Sequence, residues 1–472
     1  MSSRSQRQSP RRHERALLCL VGLTVLVARQ GTTHAAPTQA PVGPAPAAAR
    51  PATSTSTQDT EVDRGEASSP GFERNSLTVE QAVQEAMQHN LSLLAERYRV
   101  PMAQADQITA RLRLNPVLSF GADHLDVLGT RYNDVNKAGP QEFFARTDLF
   151  ILGGRKRMRR MAVADNALTV AELELSDAVR RLILEVQLTC TEVQLADAEA
   201  QLASQNLELF RGLVKLNETR VAGGDLAKVE LTRAQIAEMQ ASFDLRKSIR
   251  DRRIAQNNLA QLLGRTSTGR DIQVLGEMRE DKAPVVLSQI RGEALRMRPD
   301  YRALKAEQIR SGHDIRRQIA EGKIDASVGV EVRRQQGLAG TGNSMGIFAS
   351  VPIPMFDRNQ GGVERARQEN LAVQARLRAA EQGIRVELEN AFIAYETARD
   401  LLDSFETGLL QKAEQVLETA SYAYRRGDAS LIELLDGQRA FNETRRSYND
   451  ARAAYADALY TIDAVTARKV PQ

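Results

Sequence analysis

The chain has 472 residues, no tryptophan and only 4% aromatic residues, which argues against large globular cores. Its dominant residues, Ala, Leu, Glu, Gln and Arg, are typical of long helices packed on helices. The formal net charge of +4 depends on residues 1–35, which hold six arginines and one glutamate. The rest of the chain therefore has a net charge of −1, which leaves no electrostatic basis for nucleic-acid binding.

The first 75 residues are predicted to lie outside the folded part. Arginines from Arg4 to Arg15 precede the apolar run Ala16–Ala28, and small residues favour cleavage of an export signal after Ala35. As a helix, this run would reach about 20 Å against a hydrocarbon core of about 30 Å, so a membrane anchor is the weaker interpretation. Residues 36–75, rich in Pro, Ala, Ser and Thr, are predicted to be a disordered linker.

From Ser76 the chain divides into two similar halves, predicted at residues 76–286 and 287–472. The phrase VAGGDLA follows Arg220, and the similar phrase RRGDASL follows Tyr424. Each phrase lies between two long segments of helical periodicity. The repeated layout indicates a tandem duplication.

Each half is predicted to contain short helices, two strands and two long helices. In the first half we expect strands at about 116–128 and 141–152, and long helices at about 155–220 and 226–264. In the second half we expect strands at about 325–335 and 344–354, and long helices at about 360–424 and 429–468. The glycine-rich segment Gly337–Gly346 is expected to be a loop at the cell surface.

The predicted strands alternate apolar and polar residues. Their apolar faces hold Leu118, Phe120 and Ala122; Phe143, Ala145, Leu149 and Ile151; Ala326, Val328, Val330 and Val332; and Met345, Ile347, Ala349, Val351 and Ile353. Arg146, Asp148, Ser327, Glu331 and Arg333 fall on the opposite faces. Each stretch has about the 9 to 11 residues that a tilted strand needs to cross a bilayer. Ordinary amphipathic strands on a soluble core are the alternative.

The long helical segments repeat every seven residues, as coiled-coil seams do. One seam steps by four and three through Leu175, Val179, Leu182, Val186, Thr189, Val193, Ala196, Ala200, Ala203, Leu207, Phe210 and Val214. A second runs through Leu434, Gly437, Phe441, Thr444, Tyr448, Ala451, Tyr455, Ala458 and Ile462. The proline-free segment from Arg155 to about Thr219 would form a helix of roughly 100 Å, too long for a compact domain.

Four such strands cannot lie in a bilayer as an open sheet, because their edges would leave backbone groups without hydrogen-bond partners. They would have to close with copies of themselves. Two copies give about eight strands, which side chains fill, whereas three give about twelve and leave a water-filled lumen. Long helices that continue from the strands would extend this lumen, so the pattern predicts a conduit.

Two motifs at the strand-to-helix boundaries carry a family resemblance. LFILGGRKR (Leu149–Arg157) and SVPIPMFDRNQGGVERA (Ser350–Ala366), together with the double layout, resemble the TolC-like outer-membrane efflux proteins, and in particular their cobalt-zinc-cadmium branch. The resemblance covers residues 76–468. It implies a mainly helical fold with membrane strands, in which a homotrimer shares a twelve-stranded barrel and a periplasmic barrel of coiled-coil helices. It also implies outer-membrane lipid, a periplasmic adaptor and an inner-membrane RND pump as partners in a Gram-negative cell.

Three groups of residues are predicted to have roles in such a conduit. The strand-to-helix hinges are Gly153, Gly154, Pro352, Pro354, Gly361 and Gly362. The periplasmic tips, where an adaptor would dock, are Gly223, Gly224, Asp225, Leu226, Gly427, Asp428, Ala429 and Ser430. The candidate gate residues are Arg220, Arg425, Arg426, Asp436 and Arg439.

The tip residues also have predicted local roles. Gly223 or Gly224, and Gly427, are expected to end the incoming helices in left-handed geometry, and Asp225 and Asp428 to cap the outgoing ones.

No pattern in the sequence indicates catalysis, a resident metal or a cofactor. There is no nucleophile elbow, P-loop or His/Cys spacing of a metal site, and Cys190 is expected to be a buried helix residue. The predicted function is a passive exit duct of a tripartite efflux system for divalent heavy-metal cations. A duct for drugs or for type I secretion, and a periplasmic coiled-coil adaptor or scaffold, remain as alternatives.

Overall fold

A computed structural model describes residues 76–125, 141–266, 271–281, 284–337 and 340–468, without the side chains of residues 336, 337, 340 and 341. The predicted export signal and linker, and the predicted strand end at 126–128, lie outside these ranges.

The first half is made of short helices, two sheet-forming strands, two long helices and two very short strands at its ends. Its elements are β1 (Ser76–Leu77), α1 (Val79–His89), α2 (Leu91–Arg97), α3 (Arg99–Arg111), β2 (Val117–Asp123), β3 (Glu142–Ile151), α4 (Lys156–Gly223) and α5 (Lys228–Leu262). A short strand, β4 (Gln273–Val274), follows and pairs in parallel with β1. The second half begins after it.

The second half has the same order of elements. It contains α6 (Leu287–Met297), α7 (Pro299–Glu321), β5 (Ala326–Gly337), β6 (Gly340–Ser350), α8 (Gln360–Ser404), a π-helical segment (Phe405–Leu409), α9 (Leu410–Arg426) and α10 (Leu431–Thr466). The strands form one antiparallel sheet in the order β2-β3-β5-β6, so β2 and β6 lie at its edges in the described part of the chain.

The last strand differs from its predicted position. It ends at Ser350, which pairs with Ser327, and not at 354. Pro352 and Pro354 explain the early end, because proline has no N–H to donate to a ladder. At its other end β6 begins at Gly340, so most of the predicted surface loop is strand. Glycines at 340, 342 and 346 have no side chains, so the alternation of apolar and polar residues does not reveal this part of the strand. Its pairing with β5 establishes where β6 begins.

The long helix predicted at 360–424 is also wrong as a single element. It is interrupted by the π-helical segment, in which Gly408 has φ 138° and ψ −6°. Only glycine adopts this backbone conformation readily, since it has no Cβ. The other long helices lie within a few residues of their predicted ranges, and α4 has 68 residues without a break.

The helices pack in two rows that share α4. Helices α3, α4, α7 and α8 pack on one another in that order near the sheet, and α5, α4, α10 and α9 do so farther along. The α4 seam is buried along most of its length, as its seven-residue pattern predicts. Cys190 is fully buried beside this seam, as expected, and burial raises the pKa of its thiol to about 12.

No helix in the described ranges is both long and apolar enough to span a lipid bilayer.

Candidate functional site

The sheet has one apolar face that runs across all four strands. The register aligns Phe120, Ala145, Val332 and Met345 in one row. The next rows toward the helices align Leu118, Thr147, Val330 and Ile347, and then Leu149, Val328 and Ala349. The large side chains in these rows are exposed. The predicted alternation is therefore confirmed, except that Val351 and Ile353 lie beyond the end of β6.

The opposite face of the sheet is charged and paired within itself. Arg146 Nε donates to Asp148 Oδ2 at 2.9 Å, and the Arg146 guanidinium lies 4.5 Å from the centre of the Phe348 ring. Arg333 Nε donates to Glu331 Oε1 at 2.9 Å, and Arg333 also donates to Glu142. This face can line a water-filled space.

The end of β3 and the start of β5 are joined closely. A Cβ atom at Gly153 would lie 1.8 Å from the Ile324 carbonyl oxygen, so only glycine fits there. The Gly153 N–H donates to Asp325 Oδ1 at 2.9 Å, and the other Asp325 oxygen lies 2.7 Å from Lys156 Nζ. Lys156 is almost fully buried. Sequence analysis did not find Asp325 as the partner of Lys156, because the two residues are 169 apart in the chain.

The chain reverses into each long helix through left-handed residues. In the first half these are Gly154 (φ 62°), as predicted, and Arg155 (φ 57°). In the second half the left-handed residue is Asn359 (φ 59°), whose Nδ2 donates to the Gln318 carbonyl oxygen at 2.8 Å.

The hinge prediction for Gly361 and Gly362 is therefore wrong in its mechanism. Both lie in the first turn of α8, after the reversal. Asparagine is the non-glycine residue that tolerates this conformation best, and here its side chain holds the turn to α7. Pro352 and Pro354 lie between β6 and the reversal.

At the far ends of the long helices, two glycines end α4 and α9 as predicted. Gly224 (φ 83°) and Gly427 (φ 87°) are left-handed, and Gly223 is the last residue of α4. The N–H of Asp225 donates to the Arg220 carbonyl at 2.8 Å, and the N–H of Asp428 donates to the Ala423 carbonyl at 2.9 Å. These bonds close two matching Schellman motifs.

The capping prediction for Asp225 and Asp428 is wrong. Ser430 caps α10, because its hydroxyl accepts from the Glu433 N–H while the Glu433 carboxylate accepts from the Ser430 N–H. Ala227 precedes α5 and has no capping side chain. The reason is distance along the chain: both aspartates lie two residues before the position from which a side chain reaches the first turn.

The two tips, Gly223–Leu226 and Gly427–Ser430, are tied together by residues near them. Arg220 donates through Nη1 to the Tyr424 carbonyl at 3.2 Å and through Nη2 to the Arg425 carbonyl. The Tyr424 hydroxyl donates to Asn217 Oδ1 at 2.7 Å, and both side chains are buried. We name these contacts the tip clamp. Tyr424 and Asn217 were missed because the residues around each of them carry no pattern that indicates a contact between α4 and α9.

The other candidate gate residues are exposed. Arg426 stacks on the Tyr422 ring at 4.8 Å, and Arg439 Nη1 lies 3.9 Å from Asp436 Oδ1 on the same helix. Arg425 is exposed beside the tip clamp. The structure therefore brings Arg220 and Arg425 together and leaves Asp436 and Arg439 as a separate pair.

The buried helical core holds one further unusual carboxyl group. Asp457, on α10, has an Oδ1 with no hydrogen-bond partner among the described residues. Burial, with a smaller contribution from the nearby Glu192 carboxylate, raises the pKa of Asp457 to about 6, although a hydrogen bond with Thr191 opposes the rise. No group of His, Cys, Asp and Glu side chains in the described ranges has the arrangement of a metal site.

Comparison with known proteins identifies the family. Residues 82–265 and 291–468 both match the family described as outer membrane efflux protein. The chain belongs to this family. The two matched segments lie one in each half of the chain, and the resemblance predicted from the junction motifs is confirmed.

Individual relatives span nearly the whole folded part. The chain is 23% identical to the cobalt-zinc-cadmium resistance protein CzcC of Cupriavidus metallidurans, over 86% of this chain and 94% of that protein. The fold matches the CmeC outer membrane channel of Campylobacter jejuni with a TM-score of 0.71 at 14% identity, over 83% and 85% of the two chains. It matches CusC, solved in a study of transmembrane channel formation, with a TM-score of 0.68 at 18% identity, over 82% and 92%.

Proposed function

We propose that this protein is the outer-membrane channel of a tripartite RND-type efflux system and that it exports divalent heavy-metal cations. It acts as a passive duct, and no step of the export requires catalysis by this chain. An export signal at residues 1–35 delivers it to the outer membrane of a Gram-negative cell.

The two-faced sheet is the observation that carries the proposal. Its apolar face has exposed large side chains in every strand, which suits contact with lipid, and its charged face is paired within itself, which suits water. A soluble protein would cover such an apolar face with another layer. In the described ranges, no element packs on it.

The open edges of the sheet and of the helix row support closure into a ring with further copies of the chain. The sheet ends at β2 and β6, and the helix row beside it ends at α3 and α8. The α2–α3 side exposes an apolar stripe of Leu91, Leu94, Tyr98, Met102 and Ile108. One edge can therefore pair with the opposite edge of the next copy, a head-to-tail contact that closes into a ring. Three copies give about twelve strands and a water-filled lumen.

The helices extend this ring away from the membrane. Helix α4 spans about 100 Å, so the tips lie far from the sheet, where a periplasmic adaptor can reach them. The tips and the candidate gate residues would surround the end of the duct. The tip clamp holds the ends of α4 and α9 together, and opening would exchange its bonds for contacts with an adaptor.

The cargo assignment rests on the relative CzcC, whose name describes resistance to cobalt, zinc and cadmium. A duct needs no selective metal site if the pump selects the ion. The assignment is thus independent of the lining residues.

Two measurements test the channel. The mature protein is expected in the outer-membrane fraction after sodium carbonate extraction, and bifunctional cross-linking in detergent is expected to stop at the trimer. Release into the carbonate supernatant as a monomer would contradict the channel and favour a periplasmic scaffold.

The cargo is tested by deleting the gene and comparing growth in metals and drugs. Sensitivity to zinc, cobalt or cadmium should rise and be restored by the wild-type gene. New drug sensitivity with unchanged metal tolerance would instead support a drug duct.

The clamp is tested in planar bilayers. The Arg220→Ala variant should raise the single-channel conductance, because it removes both bonds to the end of α9. Lys215→Ala, an exposed lysine of the same helix, is the matched control and should leave the conductance unchanged. Equal conductance in both variants would remove the clamp from the gate.

A further inference from the structure

A group of exposed apolar and cationic side chains lies where the strands meet the helices. We name it the basal collar. Its apolar members are Ile151, Ile324, Ile353 and Phe356, and its cationic members are Arg155, Lys323 and Arg358. A conduit for ions has no need of these residues, so their exposure calls for an explanation of its own.

The apolar members lie at the end of the sheet nearest the helices. Ile151 is the last residue of β3, Ile324 lies two residues before Ala326 of β5, and Ile353 lies three residues beyond the end of β6. Ile353 is 77% exposed and Phe356 is 88% exposed. Such side chains cost free energy in water, so this band is built for contact with an apolar phase.

Close backbone contacts bring the cationic members together. A Cβ atom at Gly154 would lie 2.8 Å from the Lys323 side chain, and one at Gly322 would lie 2.1 Å from the Arg358 carbonyl oxygen. The chain segments that carry Arg155, Lys323 and Arg358 therefore touch one another. All three side chains are exposed.

The collar has an excess of positive charge. The nearby carboxylates of Asp325 and Glu321 face Lys156, which lies inside the junction at 2.7 and 3.8 Å. In the described ranges, neither Arg155 nor Lys323 forms an ion pair, and Arg358 Nε donates to the Pro354 carbonyl at 3.3 Å. Asp357 is the one exposed carboxylate within the collar segments themselves. An anionic surface would complement this charge.

We infer that the basal collar binds the anionic phospholipid headgroups at the inner boundary of the membrane, with Ile353 and Phe356 seated in the acyl region. This inference rests on the proposed function, since it needs the sheet to lie in a bilayer. The order of the residues supports it: apolar side chains lie toward the strands and cations toward the helices, as at a membrane surface. Ammonium and guanidinium groups at that depth meet phosphates.

A second copy of the chain is the competing occupant, and the placement of the collar argues against it. Ile151 and Ile324 belong to β3 and to the segment before β5, which are the central strands of the sheet. A neighbouring copy at the edge could cover the segment after β6 and leave the other two uncovered. Lipid contacts all three.

The absence of tryptophan from the sequence makes a sharp test possible. The Phe356→Trp variant is reconstituted in vesicles with brominated acyl chains, which quench a tryptophan in contact with them. Ile347→Trp, on the apolar face, is the positive control, and Phe243→Trp, exposed on α5, is the negative control. The Phe356→Trp variant should be quenched nearly as strongly as Ile347→Trp.

The possible outcomes distinguish the lipid-binding collar, the channel and a contact between copies. Quenching in Ile347→Trp without quenching in Phe356→Trp overturns the collar and leaves the channel standing. No quenching in either overturns the channel as well. Leu114 is exposed just before β2, which is the edge of the sheet opposite β6. A disulfide between copies in the Phe356→Cys/Leu114→Cys variant, with no quenching, assigns Phe356 to the contact between copies and overturns the lipid site.

The headgroup is tested by charge removal. Purified Arg155→Gln/Lys323→Gln/Arg358→Gln should lose its enrichment of phosphatidylglycerol over phosphatidylcholine in the bound lipid, by roughly fivefold for each cation removed. Lys215→Gln/Lys228→Gln/Lys412→Gln removes the same charge from exposed positions on the long helices and should keep the enrichment. Equal enrichment in both variants overturns the assignment to anionic headgroups.

Discussion

The two halves of the chain place equivalent elements in the same order, but they build their long helices differently. In the first half α4 continues for 68 residues, whereas its counterpart is divided into α8, a π-helical segment and α9. Gln205 occupies in α4 the position that Gly408 occupies in the second half, counted back from the paired tips.

Packing explains the difference. Around Gln205, helix α4 lies between α5 and α10 and has buried residues such as Ala203 and Leu207, so this part of α4 is held on two sides. Helix α9 packs on α10 at the edge of its row, and Tyr424 is its one buried residue. A duplicated helix can thus tolerate a break where only one side is packed.

The largest expected effect is a difference in stability between matched substitutions at the two strand-to-helix junctions. Gly153→Ala should destabilise the protein by about 3 kcal/mol, because the new methyl group would overlap the Ile324 carbonyl oxygen. Gly361→Ala is the matched change in the second junction and meets no atom within 4 Å, so stability should change little. Thermal unfolding followed by circular dichroism measures both, and equal losses would refute the difference between the junctions.

A second prediction concerns Asp457 of α10, beside α4, where the two halves meet. Its folded-state pKa of about 6 exceeds the usual value of about 4, so the folded state binds the proton more tightly. Its contribution is therefore fully present below about pH 4 and is lost as pH rises through 6. Asp457→Asn should stabilise the protein by about 2 kcal/mol at pH 7 and by almost nothing at pH 4.

Denaturant unfolding at several pH values measures this effect. Asp450→Asn, an exposed change on the same helix, is the control and should leave stability within about 0.5 kcal/mol at each pH. A gain for Asp457→Asn that is the same at pH 4 and pH 7 would contradict a raised pKa.

A third prediction concerns the break itself. Gly408→Ala should cost about 1 kcal/mol, because a Cβ atom strains a residue at φ 138°. Gly383→Ala lies in the regular part of α8 with open space around it and should instead gain about 0.5 kcal/mol. Opposite signs in thermal unfolding are the expected result, and a gain for both would mean that the break is not a fixed feature.

The smallest expected effect is a change in helix stability after substitution of the capping residue at each tip. Ser430→Ala should destabilise α10 by about 1 kcal/mol through loss of its capping box. Ala227→Ser should stabilise α5 by a similar amount, because that helix has no capping side chain. Hydrogen exchange of the first-turn amides measures each change, and equal exchange before and after Ser430→Ala would show that the cap does not hold the turn.

The periodic residues alone determined the apolar face of the strands and the seam of α4. The repeated glycine phrases predicted the left-handed glycines that end α4 and α9. These features depend on neighbours within a few residues, so a local pattern contains them. The motifs around Gly153 and Pro354 also sufficed for the family. They mark where strand twist must give way to helix, and this need is local.

Only the tertiary structure decided the contacts between distant segments. Lys156 with Asp325, Tyr424 with Asn217, and Asn359 with Gln318 depend on which helices lie side by side. It also decided the start of β6 and the break at Gly408, because pairing with β5 and one-sided packing overrode the periodicity there. The physical reason is that such contacts join atoms that are far apart in the chain. The local spacing of residues does not show which distant segments come together.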